Sequence, residues 1–199
     1  MRAILALLLV LPATGVSVIQ AQTDYYARLG LTVATNLLRD VVVREIHVRQ
    51  SIAPTLAMGA SLPIAPTYRL GLEGTLASSG YHSTEGNTET GLGTLRTWSV
   101  ILGLDGPIWR SLHWQAGPGL IGYWPTEDQG IFLQGGSTRF LVGAGVDYRR
   151  PVLPQWELTV ALRYDFHRFT TDELTAREFR GTQGVQRVSA SVGLARASR

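Results

Sequence analysis

His167 stands two residues after Asp165 and four after Arg163. On an extended strand that spacing puts an imidazole, a carboxylate and a guanidinium on one face. A general base could be built from them if a serine or threonine lay across the sheet as nucleophile. His82 and Ser83 are adjacent, and Ser111 and His113 stand two apart, while His47 is isolated. No histidines fall at helical or zinc-ligand spacing, and the chain has no cysteine. Neither a disulfide nor a thiolate metal centre can therefore form, and the expectation is no metal, no cofactor and no assigned catalytic residue. Gly117-Pro118-Gly119-Leu120-Ile121-Gly122 fits the dinucleotide pattern by letter, but Tyr123-Trp124-Pro125 follow where a helix would have to begin. Glycines in a tight β wall account for it.

The other residues with chemical potential are charges: Arg28, Arg69, Glu73, Arg139, Asp147, Glu157, Arg163 and Asp165. Each sits in a segment whose side chains alternate between two faces. Buried together they must pair, which predicts a polar network filling an interior. Lining a selective pathway is the functional alternative for the same groups.

Composition favours strands. Charged residues make up 17% and aromatics 9%, glycine numbers 22, and all 18 basic residues are arginine. The net charge of +3 is scattered along the chain rather than gathered in a stripe, so nucleic acid is not an expected partner.

Residues 1–22, MRAILALLLVLPATGVSVIQAQ, carry a positive start, a short apolar run and small residues near Ala21-Gln22. They read as a secretory signal peptide, leaving 23–199 as one domain. The apolar run is too short for a membrane helix, which needs ~20 residues.

From residue 23 onward the pattern has period two. Trp156, Leu158, Val160, Leu162, Tyr164 and Phe166 alternate with Glu157, Thr159, Ala161, Arg163 and Asp165. Similar runs occupy 25–34, 46–58, 68–76, 94–104, 111–123, 138–148 and 187–194, predicting eight strands. Tight turns are predicted at 61–66, 105–107 and 150–154, and long polar loops at 78–91, 125–137 and 170–184. Short turns at one end and long loops at the other are the asymmetry of outer-membrane barrels.

Alternation leaves the direction of the apolar face open between a membrane barrel and a soluble lipocalin-type barrel. The polar face is rich in Gly, Ala, Ser and Thr, which suits a narrow interior better than water. Aromatics gather near strand ends. Tyr25, Tyr26, Tyr68, Trp114, Tyr148 and Trp156 fall toward the short turns, and Trp98, Tyr123, Trp124, Phe140 and Phe166 toward the long loops. Such girdles mark lipid–water interfaces. The expected fold is thus all-β, an eight-stranded antiparallel up-and-down transmembrane β-barrel. Pro54 and Pro118 each remove a ladder donor, which bulges could accommodate.

Gly143-Ala144-Gly145-Val146-Asp147-Tyr148-Arg149 and Leu162-Arg163-Tyr164-Asp165-Phe166, behind an export signal, resemble the β-barrel domain of OmpA-like and OmpW-like small outer-membrane proteins. The resemblance covers the mature chain. It implies a monomer in the bacterial outer membrane with both termini periplasmic, outer-membrane lipid around it, and the barrel insertion machinery as a partner. Members usually finish on an aromatic residue, whereas this chain ends Leu194-Ala195-Arg196-Ala197-Ser198-Arg199. The function expected is structural or surface-interacting, carried by the long loops above a plugged lumen. The alternatives are a conduit for small apolar or amphipathic solutes and a lipid-modifying barrel enzyme built around His167.

Overall fold

Every N–H and C=O of a strand needs a partner, and a ring of strands supplies them without leaving an edge. The computed structural model describes residues 23–40, 46–176 and 183–196; the predicted signal peptide and its cleavage site lie outside them. Ten strands are formed: β1 (Asp24–Ala34), β2 (Leu38–Asp40), β3 (Ile46–Gln50), β4 (Ala53–Pro63), β5 (Arg69–Glu85), β6 (Thr88–Trp109), β7 (Leu112–Pro125), β8 (Ser137–Leu153), β9 (Trp156–Phe169) and β10 (Gln183–Arg196). A 3-10 turn covers Gly130–Phe132, and one short helix, α1, covers Asp172–Ala176.

β3 is the extension of wall strand β4 beyond a bulge, so the ring itself has eight walls, each antiparallel to its neighbours in chain order. β1 meets β10 from Tyr25↔Arg196 to Ala34↔Arg187 and closes the ring. This is the up-and-down barrel that the alternation predicts.

Register explains both prolines. Gln50 pairs with Tyr81 and Thr55 with Ala77, so four residues, 51–54, oppose three, 78–80. Pro54 sits in that one-residue bulge. The bulge also reverses parity: Val48 faces inward and is buried, although the unbroken alternation put it with Ile52 on the other face. On the β6–β7 ladder, pairing stops between Ile101↔Gly119 and Leu104↔Ala116, where Pro118 has no N–H to give. There the register does not shift; the ladder has a gap instead of a bulge.

Three predicted connections are wholly or largely strand. Asp105-Gly106-Pro107 belongs to β6, and the chain reverses at Arg110-Ser111, where Arg110 adopts φ 31. Segment 78–91 continues β5 and β6 as a hairpin that turns at Gly86-Asn87, with Gly86 at φ 58. β8 likewise runs through Arg150–Leu153 before turning. At the opposite end from the Arg110-Ser111 turn, β2, β3 and the extended β5–β6 hairpin form a small sheet beyond the ring.

Facing is settled by exposure. Leu29, Leu72, Leu102, Val142, Leu162 and Val192 are each at least half exposed. They belong to a belt that runs around the whole wall, far larger than the few hundred Å² of apolar patch that water-soluble monomers expose. A lipocalin-type barrel needs the reverse facing and is excluded.

Candidate functional site

The inward positions stack in levels, because each strand offers the interior every second residue. At the short-turn end, Arg69 Nη2 lies 2.9 Å from Asp24 Oδ2, and its Nε donates to Ser61 Oγ at 3.0 Å. Across the barrel, Arg149 bridges Asp105 and Asp147, with His113 Nδ1 3.5 Å from Asp105. Glu157 lines the cavity between these groups.

The next level holds the most deeply buried ion. Glu73, 1% exposed, accepts from Arg28 through Oε2 and from Arg163 through Oε1. Tyr26 OH donates to the same Oε2 at 2.6 Å, and the Arg28 guanidinium lies 4.4 Å from the Tyr26 ring centroid. Arg163 Nε completes the chain to Asp165 Oδ1 at 2.8 Å. Two cations and two carboxylates neutralise one another, which is the condition for burying any of them. The wall is shaped for this cluster: a Cβ on Gly143 would meet Asp165 Oδ1 at 2.6 Å and Arg163 Nη2 at 2.9 Å.

Above the ions come hydroxyls and then apolar side chains. Thr32 Oγ1 bonds Thr55 and Ser189 at 2.7 and 2.8 Å, and Thr75 bonds Ser99 at 2.5 Å. Arg187 donates to Thr97 Oγ1 at 3.1 Å, and Tyr123 OH meets His167 Nε2 at 2.6 Å. The far mouth is then filled from outside the ring. Leu37 and Leu38, Ile131 and Phe132 of the 3-10 turn, and Leu174 of α1 join Tyr81, Tyr123, Phe169 and Val185 in one buried cluster. Phe132 stacks edge-on to Tyr81 and Phe169, with centroids 5.8 and 5.9 Å away. Thr171 Oγ1 accepts from Leu174 N at 3.2 Å and so fixes the start of α1. Arg139 ties the cap to the wall by donating twice to Thr170 O.

The eight charges named from the sequence thus all face the interior, with Arg139 at the capped mouth and Arg69 and Glu157 at the other end. Five residues of the network were not among them. Asp105 was placed in a turn; Asp24 and Arg149 lie at strand ends. Arg187 had the right parity but no apparent partner. Tyr26 was placed in a girdle, yet it points inward, as does Tyr123, which is 0% exposed. Parity decides this: Tyr25 and Trp124, the adjoining residues, are the outward ones. The remaining girdle residues, Tyr25, Tyr68, Trp98, Trp114, Trp124, Phe140, Tyr148, Trp156 and Phe166, are on the outer face, with Trp98 and Trp114 half-buried.

Within the charged levels lie cavities of about 10 and 20 Å³. Each has room for about one water molecule. His167 is 2% exposed and its Nε2 shares a hydrogen bond with Tyr123 OH, and among the described residues none of its hydrogen bonds goes to a serine or threonine. His82 is held between Arg49 Nε at 2.6 Å and Glu89 at 3.4 Å, on the hairpin beyond the ring. Among the described residues no group of three His, Asp or Glu could hold a metal ion. Gly117 and Gly119 lie in strand β7, where a Cβ would meet Leu102 O and Val100 O at 2.1 and 2.2 Å; close wall packing is what those glycines serve.

No family model and no curated protein matches the chain. Solved structures do. Neisserial surface protein A superposes with a TM-score of 0.55 over 88% of this chain and 96% of that one, at 12% identity. The outer-membrane protein OprG from Pseudomonas aeruginosa gives 0.52, 88% and 95%, at 12% identity. The outer-membrane protein AlkL, determined in DMPC lipid bilayers, gives 0.53, 88% and 90%, at 14% identity. At such identities the likeness is one of fold, that of the small eight-stranded outer-membrane barrels.

Proposed function

We propose that this chain is an OmpA-like or OmpW-like outer-membrane barrel whose closed lumen makes it a rigid support for a surface-interaction role. Its predicted signal peptide would be removed, and it would stand as a monomer with both termini in the periplasm after insertion by the barrel machinery. The outer belt supports the membrane reading, because only lipid covers that much apolar surface on a monomer. The single observation that carries the closed lumen is its double obstruction: an ion cluster centred on Glu73 and, above it, an apolar cap centred on Phe132. The polar lumen expected from the sequence therefore occupies only the half nearer the short turns. What is left to meet a partner is the sheet of β2, β3 and the β5–β6 hairpin, together with the capping segments.

A planar lipid bilayer tests this. Purified protein should give little or no steady conductance, because eight-stranded interiors are filled by side chains. Stable channels large enough to pass sugars would overturn it.

A conduit for small apolar solutes is the second reading. Its support is the aromatic chamber of Tyr81, Tyr123, Phe132 and Phe169, which an apolar molecule could enter if the cap lifted. An enzymatic role around His167 has the geometry against it, since a substrate would have to pass the cap and displace Tyr123.

A further inference from the structure

The outward belt is interrupted by a groove of about 550 Å³, lined by Leu29, Pro54, Leu56, Leu76, Trp98 and Trp124. That volume is within the range of small-molecule pockets, roughly 300–1,000 Å³. Trp98 forms its floor: the indole lies against Gly122, where a Cβ would sit 2.1 Å from Nε1, and its ring centroid is 6.1 Å from that of Trp124.

At one end the lining changes character, to Ser78 and Arg96, which face each other across β5 and β6. Arg96 is exposed, and no described acidic side chain or hydrogen-bond acceptor lies against it. Its height can be worked out along β6. The belt on that strand runs from Trp98 to Ile108, ten residue steps, or about 33 Å of strand. Tilted by about 40°, this spans about 25 Å, the height of the apolar band of a membrane barrel. Arg96 is the next outward residue beyond it, level with lipid headgroups on the capped side.

We propose that the groove seats one anionic, phosphate-bearing lipid of the leaflet on the capped side, with an acyl chain over Leu56 and Leu76 and the phosphate on Arg96. A second copy of the barrel fits less well, because its outward belt is apolar and brings no anion to the groove's end. An unpaired guanidinium at its end matches an anionic headgroup. The inference rests on the membrane reading above and is independent of the closed lumen.

The test uses the full barrel with Trp109, Trp114 and Trp156 replaced by phenylalanine, so that emission comes from Trp98 and Trp124 alone. It is folded into phosphatidylcholine vesicles containing a small fraction of lipid brominated on one acyl chain, with either a phosphatidic acid or a phosphatidylcholine headgroup. The brominated phosphatidic acid should quench with an apparent affinity about fivefold higher, the effect of one arginine–phosphate contact at a membrane surface. Arg96→Gln should bring the two lipids to parity, Arg96→Lys should keep most of the preference, and raised salt should reduce it in the parent. Equal quenching by both lipids in the parent overturns the proposal, as does a preference that survives Arg96→Gln. Quenching by neither lipid, together with a dimer mass, would assign the groove to a second copy instead. Heat-dependent gel mobility of the same samples reports whether the barrel itself is folded, so loss of the membrane reading and loss of the lipid seat are told apart.

Discussion

Replacing Glu73 by glutamine keeps the shape of the side chain and removes the charge on which the middle of the barrel depends. In the parent, its two carboxylate oxygens accept from Arg28, Arg163 and Tyr26. Hydrogen bonds to a charged group contribute about 1.5–3 kcal/mol each, but they do not add, and not all are lost. Arg163 still has Asp165, and glutamine still accepts through its carbonyl oxygen. What cannot be recovered is the neutralisation of Arg28, a cation 7% exposed whose only ion pair among the described residues is with Glu73. Breaking a buried pair this way costs about 3–5 kcal/mol. The assay is equilibrium unfolding by guanidinium of the barrel folded in lipid vesicles, followed by tryptophan fluorescence. Glu157→Gln is the control, because Glu157 lines the lower cavity and makes no ion pair among the described residues; it should stay within about 1 kcal/mol. A Glu73→Gln barrel within about 1 kcal/mol of the parent would refute the reasoning, since losing an exposed ion pair costs up to that much.

Facing is tested on β9, where Leu162 is 53% exposed and Ala161 is 8% exposed. Leu162→Arg puts a guanidinium in the apolar belt and should destabilise by roughly 2–4 kcal/mol, whereas Ala161→Ser should change stability by less than about 1 kcal/mol, both read by the same unfolding assay. Topology is tested by epitope tags. A tag at Gly86-Asn87, the tip of the β5–β6 hairpin, should be reached by antibody on intact cells. A tag at the turn over residues 64–67 should be reached only after permeabilisation, and the opposite result would invert the orientation.

Much of the barrel was legible because one rule governs it. Period-two alternation is a local property, and β9 carries it unbroken from Trp156 to Phe166. Residue type misleads where parity decides the facing. Tyr26 and Tyr123 are aromatic and near strand ends, but they occupy inward positions and serve Glu73 and His167. Asp105-Gly106-Pro107 has turn composition, yet Asp105 is 5% exposed inside the wall, and the β6–β7 register only shifts between Pro107 and Trp109. The hairpin over 78–91 was hidden because, beyond the belt, neither face meets lipid and both can be polar. The bulge at 51–54 exchanged the faces of β3 and β4, which no alternation count detects. The apolar cap was out of reach altogether: Leu37, Phe132 and Leu174 come from three separate connections and meet only when the ring brings their ends together. Charge identity was readable, and charge pairing was not, because register fixes which arginine meets which carboxylate.

The central claim is a barrel standing in lipid with its apolar face outward, and separation of inner and outer membranes tests it most directly. The protein should run with the outer membrane and migrate differently on gels before and after boiling, as a closed barrel does until its ladder is melted. Recovery from the soluble periplasmic fraction, with mobility indifferent to boiling, would contradict it.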